Sequence, residues 1–242
     1  MGFLIEAEKS IMPACDVKTL EHLAKQVGGT NVPGVYALKV GFGLVMSFGL
    51  PRVIETIKNI RDDVKAIYDH QKAGTDVPFT GELFAEVLKN SGVDAAILFP
   101  REDDPVVQYK WTQWLFDNGI VPIIGGELTH RPANEKTDQI YINAIFQGVR
   151  EFVVPGTKPK RVKHYTKLFK DFGVEVSENS PGFVEQGGRI SESAEGATKR
   201  FHAICGRATH NPKKKENPDD ITVDEIREST TELTSQILRE QD

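Results

Sequence analysis

Eight short apolar runs, each followed by an amphipathic or polar stretch, limit what this chain can fold into. They are Ser10–Cys15, Val35–Gly41, Val64–Tyr68, Ala95–Pro100, Ile120–Gly125, Glu151–Gly156, Val174–Ser180 and His202–Gly206. Runs of this length read as strands buried on both faces, as parallel strands are. The stretches between them carry apolar residues three and four apart, the mark of a helix with one buried face. Leu20, Leu23, Ala24 and Val27 do this in Val17–Val27, and Val53, Ile54 and Ile57 in Pro51–Asn59. Val107, Trp111, Trp114 and Leu115 do so in Val106–Asn118, and Val162, Tyr165, Leu168 and Phe169 in Lys160–Phe172. A helix over Gly81–Ser91 follows the third run, and Val223–Arg239 reads as the closing helix. Gly92, Gly119, Gly148 and Gly173 stand where helices should end before the next strand. The alternation predicts a (β/α)8 TIM barrel, with residues 1–242 as one domain. An open doubly wound sheet is the alternative. No G-x-G-x-x-G follows the first run, which weighs against dinucleotide binding.

With 242 residues, 39% hydrophobic and 27% charged, the chain is long enough for one such barrel. A net charge of -5 gives no support to nucleic acid as a partner, and a phosphorylated ligand needs a local basic pocket. Cys15 and Cys205 each lie inside an apolar run and read as buried free thiols. No run of about 18 apolar residues is present to span a membrane. The opening MGFLIEAEKS is broken by Glu6 and does not resemble a signal peptide. These features point to a cytoplasmic protein. KKKENPDD, residues 213–220, reads as a solvated loop, with Thr222 or Asp224 placed to cap the closing helix.

In a parallel barrel the strand C-termini converge on one mouth, and chemistry gathers there. The run VKAIY ends in Asp69, Lys72 and Asp76. Charges at the end of a buried strand cost folding energy unless they are paired or used. Other strand ends add Asp16, Lys39, Glu127, Thr129 and His130, then Gln186, Gly187 and Gly188, then Gly206 and Arg207. Lys39 lies between Leu38 and Val40 in an apolar strand and needs a partner, for which Asp69 is the candidate. The Lys/Asp side suits proton transfer and charge stabilisation. The Gly-rich side with Arg207 suits a phosphate, since glycine lets backbone N–H groups approach an anion and the guanidinium adds a bidentate contact. No Cys/His cluster has ligand spacing, and the lysines compete with a cation for the carboxylates, so no metal is expected. His70 and His130 stand alone and read as hydrogen-bonded structural residues.

Five segments within residues 10–210 resemble, in order, those of the orotidine 5'-phosphate decarboxylase family. ALKVGFGLVMSFG is similar to its strand-2 lysine segment, DVPFT to its D-I-P-x-T and GELTHRP to its E-M-S-H-P. SPGFVEQGG is similar to its phosphate loop, P-G-I/V-x-x-Q-G-G, and AICGRA to its I-V-G-R strand. The signature itself is longer here. The family has D-x-K-x-x-D-I-P, whereas this chain reads DHQKAGTDVP from Asp69 to Pro78, with one residue added on each side of Lys72. Residues three apart on a strand do not share a face, so Asp69 and Lys72 converge only if the strand ends in a bulge or turn near His70. Gly74 gives the second insertion similar freedom.

The resemblance implies conversion of orotidine 5'-phosphate to uridine 5'-phosphate in pyrimidine biosynthesis, without a cofactor, by a homodimer. It makes Lys72 the acid that protonates C6 after CO2 leaves. Asp69, Asp76 and Lys39 complete the catalytic set. Asp69 crowds the substrate carboxylate and pairs with Lys39 and Lys72. Asp76 and Thr80 reach the ribose or phosphate region of the partner subunit's site. Lys39 and Asp16 contact ribose hydroxyls, and Thr129 stands where the family has a Ser that bonds the pyrimidine. Gln186 and Arg207, with N–H groups near Gly188 and Gly206, hold the phosphate. Two other readings remain. One is a metal-dependent sugar-phosphate decarboxylase or aldolase of the same superfamily, with Glu127 as a ligand. The other is a protein that binds nucleotide phosphates without turnover.

Overall fold

The computed structural model describes residues 2–70, 73–101, 104–128, 133–134, 136–183 and 190–238. Eight parallel strands close in sequence order, β1 beside β8. The first half runs β1 (Lys9–Cys15), α1 (Leu20–Gly29), β2 (Ala37–Gly41), α2 (Phe42–Phe48), α3 (Leu50–Lys58), β3 (Lys65–Asp69), α4 (Thr80–Asn90), β4 (Ala95–Leu98) and α5 (Pro105–Asp117). The second half runs β5 (Val121–Gly125), α6 (Thr137–Phe146), β6 (Glu151–Val153), α7 (Pro159–Asp171), β7 (Ser177–Pro181), α8 (Ile190–Gly196), β8 (Arg200–Cys205), α9 (Arg207–His210) and α10 (Val223–Leu238). The barrel therefore replaces the open-sheet alternative.

Local chemistry explains the element ends. Pro51, Pro105 and Pro159 open α3, α5 and α7, where a missing N–H costs nothing. The Asp104 carboxylate accepts from Val107 N at 3.1 Å to cap α5. Thr222, not Asp224, caps α10: its hydroxyl accepts from Glu225 N, and the Glu225 carboxylate accepts from Thr222 N in return. Gly173 ends α7 with φ +65°, the left-handed conformation the C-cap demands.

Two apolar layers follow from strand alternation. Inside the barrel, Met12, Ala14, Ala37, Ile67, Ala95, Ile97, Ile123, Val153 and Ile204 pack together, joined by Leu4 and Ile5 of the N-terminal segment. Outside, Leu38, Val40, Tyr68, Ile124, Phe152 and Phe201 meet the helices. Cys15 and Cys205 are buried free thiols in this outer layer. Among the described residues no helix is long and apolar enough to cross a membrane.

β7 departs from the apolar pattern. The run Val174–Ser180 suggested an apolar strand, but the strand is Ser177–Pro181, and Ser177, Glu178, Asn179 and Ser180 are fully buried. Hydrogen bonds make this tolerable. Asn179 Nδ2 donates to Glu151 Oε2 at 3.1 Å inside the barrel, and Leu4 N donates to Glu151 Oε1 at 2.9 Å. On the outer face, Thr166 Oγ1 of α7 donates to Glu178 Oε1 at 2.8 Å and Thr198 N to its Oε2 at 3.3 Å. Burial raises the Glu178 carboxyl from 4.5 to about 8, so it is a neutral acid at pH 7.

A folded-state pKa raised this way contributes stability that is fully present below about pH 4.5 and is lost as pH rises through about 8. Glu178→Gln, neutral at every pH, should flatten the thermal midpoint between those values. The wild type should lose on the order of 4 kcal/mol across the window relative to the variant. Equal pH slopes for the two proteins would contradict the assignment.

Candidate functional site

β2 and β3 set the centre of the site. Leu38 and Val40 face the outer layer and Ala37 the inner one, so Lys39 points into the barrel. Gly41 pairs with Asp69 in the register of the two strands. Lys39 Nζ reaches Asp69 Oδ2 at 3.0 Å, with the two side chains only 7% and 15% exposed. Burial alone would lower the Lys39 ammonium pKa. The charges of Asp69 and Asp16 and the hydrogen bond to Asp69 outweigh it and raise it above the ordinary lysine value. Asp16, just past β1, is solvent-exposed and contributes through its charge. Lys39, Asp69 and Asp16 thus meet at the mouth. Burial pushes the thiol of neighbouring Cys15 up, so it stays protonated.

β3 ends at Asp69, and His70 follows it. The His70 ring hydrogen-bonds the Tyr68 hydroxyl and stands edge-on to Tyr68 and Phe84, with centroids 5.5 and 6.2 Å away. His70 is therefore pinned on the helix side of β3, in the structural role its sequence suggested. Lys72 lies outside the described residues, as do Thr129, His130, Gln186 and Gly188. The Ala73 carbonyl accepts from Phe99 N at 2.8 Å, and Gly74 takes φ +92°. The second insertion thus falls on a left-handed glycine.

Asp76 and Thr80 sit in the turn that opens α4. Val77 N donates to Asp76 Oδ1 at 2.8 Å. The Thr80 hydroxyl donates to Val77 O at 2.7 Å, and Trp111 Nε1 donates to the same carbonyl at 3.2 Å. A Cβ at position 81 would lie 2.9 Å from Trp111 Cγ, so only glycine lets this turn press on α5. Asp76 is exposed and borders a cleft of about 350 Å³ walled by Pro78, Arg101 and Asp104. These bonds hold Asp76 and Thr80 in the turn that opens α4.

The opposite rim is built by β7 and β8. Gly206 is the N-cap of α9 and Arg207 its first residue, solvent-exposed. Gln26 of α1, fully buried, donates to Ala14 O and to Thr209 Oγ1, both at 3.2 Å. It ties the end of β1 to the turn carrying Arg207. Gly156 N donates to Pro181 O at 3.1 Å, and Phe183 packs on Gly156, fixing where the Pro181–Gly188 segment begins.

Glu127, after β5, is 4% exposed and both carboxylate oxygens are occupied. Oε1 accepts from Lys158 Nζ at 2.9 Å, and Oε2 accepts from Arg161 Nε and the Tyr165 hydroxyl, each at 2.7 Å. This corrects Glu127 as a metal ligand: a carboxylate neutralised by two cations is a poor ligand. Burial would raise its pKa, but the bonds from Lys158, Arg161 and Tyr165 hold it below the ordinary carboxylate value. Among the described residues, no group of His, Cys, Asp and Glu is placed to hold a metal ion. Gln26 and the partners of Glu127 carried no sequence motif. Their only signal was polarity on a helix face, which solvent-facing residues share.

The Lys39–Asp69 pair is the energetic test of this geometry. Lys39→Met or Asp69→Asn alone leaves a buried group without its partner and should cost about 3–5 kcal/mol in urea unfolding. The double variant should cost clearly less than the sum. Additive losses would contradict a coupled pair.

No protein-family model matches the chain. Among curated proteins, the orotidine 5'-phosphate decarboxylase of Pyrococcus abyssi is 30% identical over 200 residues, covering 80% of this chain and 88% of that protein. That of Methanosarcina mazei is 28% identical over 205 residues, covering 82% and 86%. Among solved structures, the orotidine 5'-monophosphate decarboxylase of Methanocaldococcus jannaschii, complexed with the inhibitor BMP, superposes with a TM-score of 0.76 at 22% identity over 95% of this chain and 98% of that one. The Pyrococcus horikoshii OT3 orotidine 5'-phosphate decarboxylase gives 0.71 at 24% identity, over 94% and 99%. The structural likenesses concern the fold. With the identity and coverage of the Pyrococcus abyssi protein, and a lysine–aspartate pair at the strand ends, the chain belongs to the orotidine 5'-phosphate decarboxylase family.

Proposed function

We propose that this chain decarboxylates orotidine 5'-phosphate to uridine 5'-phosphate in pyrimidine biosynthesis, using its own side chains alone. The buried Lys39–Asp69 pair at the barrel mouth, in a chain of this family, carries the reading. The C6–carboxylate bond breaks with its electron pair left on C6. An adjacent ammonium stabilises that charge and then donates a proton to it. Lys72 is that acid. Asp69 crowds the departing carboxylate while Lys39 holds Asp69 in place. Lys39 and Asp16 take the ribose hydroxyls and Thr129 the pyrimidine. Gln186 and Arg207, with N–H groups at Gly188 and Gly206, take the phosphate. His70 docked on Tyr68 and Gly74 at positive φ support this assignment, because both insertions can then be absorbed off the strand. The two buried thiols suit the reducing cytoplasm, where the reading places the enzyme.

The active unit is a homodimer. Phe79, Leu83 and Val87, four residues apart on one face of the α4 region, are exposed, and Val77 and Val106 are exposed as well. An apolar surface of this kind favours association. It adjoins Asp76 and Thr80, which in this reading complete the partner subunit's site.

An ultraviolet absorbance assay with orotidine 5'-phosphate should show turnover that survives a chelator. Lys72→Ala should lose turnover by at least a thousandfold while uridine 5'-monophosphate still binds, since the acid acts on the transition state more than on the ground state. Near-normal turnover by that variant, or activity that disappears with the chelator, would overturn the reading.

Dilution tests the assembly. Specific activity should fall once sedimentation shows monomers, and Asp76→Ala should lower it without dissociating the dimer. A fully active monomer would contradict the shared site.

A further inference from the structure

The hydrogen-bond ladder between β1 and β8 ends at the pair Pro13 and Cys205. Asp16 and Arg207 lie just beyond it on their two chain segments, both exposed. There α1 takes over the linkage. Gln26, fully buried, donates from Nε2 to Ala14 O and to Thr209 Oγ1, both at 3.2 Å. A carbonyl only accepts, so the amide nitrogen is the end that faces β1. One helical turn earlier, the buried His22 meets His210 O through Nε2 at 2.7 Å, and for the same reason that nitrogen carries the proton. The rest of α9 is held as fully. The Thr209 hydroxyl donates to Cys205 O and Gly206 O at 2.9 and 2.8 Å. Ser229 Oγ of α10 donates to Ala208 O, and Asn211 N to Arg207 O, both at 2.8 Å. The backbone beneath Arg207 is thus fixed, while the residue itself is exposed.

We propose that Gln26 and His22 are positioning residues: from one face of α1 they set the distance between the end of β1 and the turn of Gly206 and Arg207, and so the spacing between the ribose-binding and phosphate-binding ends of the site. The inference rests on the reading of Asp16 and Arg207 as ribose and phosphate groups. Ribose and phosphate are joined covalently in the ligand, so the protein must match their separation. Burying a glutamine or a histidine costs more desolvation than burying an apolar side chain of its size, so a stable core alone would favour leucine or methionine at both places. Their donors instead reach acceptors on both sides of the gap where the ladder has stopped. Phosphate binding far from the reacting carbon orients the substrate there, and an error of about 1 Å lowers rate on the order of a hundredfold.

The test compares a ligand that carries the phosphate with one that lacks it. Wild-type protein, Gln26→Met, His22→Leu and His22→Gln are titrated with uridine 5'-monophosphate and with uridine, and kcat and KM are measured with orotidine 5'-phosphate. Gln26→Met keeps the length of the side chain and loses the donor. It should bind the nucleotide at least tenfold more weakly while its affinity for uridine stays within twofold, and its kcat/KM should fall tenfold or more. His22→Leu should show the same phosphate-selective loss, and His22→Gln, whose amide offers a donor in a similar place, should recover part of it. In an Arg207→Ala background, Gln26→Met should add less than twofold, because the two act through one contact. If Gln26→Met fails to fold, the two His22 variants carry the comparison. Equal changes for both ligands, no change for either, or additive effects with Arg207→Ala would overturn the proposal. The reading beneath it fails differently. A wild-type protein that neither binds uridine 5'-monophosphate nor turns over the substrate, or an Arg207→Ala protein with unchanged nucleotide affinity, would remove the phosphate site itself and the inference with it.

Discussion

The buried ion pair between Lys39 and Asp69 is the constraint around which the mouth of this barrel is arranged. A closed parallel barrel brings its strand ends together whether or not their side chains are compatible. Here it places an ammonium and a carboxylate on adjacent strands, largely out of water, and the exposed Asp16 leans on the same ammonium. Each charge is tolerable only because the other is there. The arrangement leaves Asp69 paired and fixed in position at the point where the chain leaves the sheet. The proposed catalysis is built on that carboxylate, because a carboxylate favours the charged form of an ammonium beside it.

Elsewhere among the described residues, buried polar groups anchor the chain where it leaves the strands. Gln26 reaches from α1 to the carbonyl ending β1 and to the turn before Arg207. Tyr141 and the partners of Glu127 do the same beside β5. Gly156 joins the turn after β6 to the end of β7. In each case a buried polar group on a helix or turn satisfies backbone groups at a strand end, where the ladder has stopped providing partners. The mouth is thus built from segments without regular structure that are nonetheless anchored at their roots.

Much of this architecture was legible in the order of residues, for a physical reason. Strands such as Val121–Gly125 are buried on both faces and must be apolar throughout, and the α7 stripe of Val162, Tyr165 and Phe169 must repeat at helical spacing. The pairing of Lys39 with Asp69 was legible too, because a lysine inside ALKVG has to be neutralised by something close. β7 was misplaced by three residues because its burial rests on Glu178, Asn179 and their hydrogen bonds, a long-range property that local hydrophobicity does not carry. α6 shows Ile140, Tyr141, Ala144 and Ile145 on one buried face, but its polar start and apolar tail blur the period. Glu127 was expected as a possible ligand, since its sequence neighbours say nothing of Lys158 and Arg161 some thirty residues further on. The lengthened signature was the clearest departure. Of its described residues, His70 is seated on Tyr68 and Gly74 takes a positive φ.

The central claim is that Asp69 and Lys72 act as one unit despite the added residue between them. Its most direct test is a crystal structure of the dimer with a uridine 5'-monophosphate analogue bearing an anionic oxygen at C6. The account predicts Lys72 Nζ within about 4 Å of the Asp69 carboxylate, with both groups facing the C6 substituent and the chain bulged at Gln71. Asp69 and Lys72 on opposite sides of β3, with the C6 oxygen met by some other cation, would contradict it.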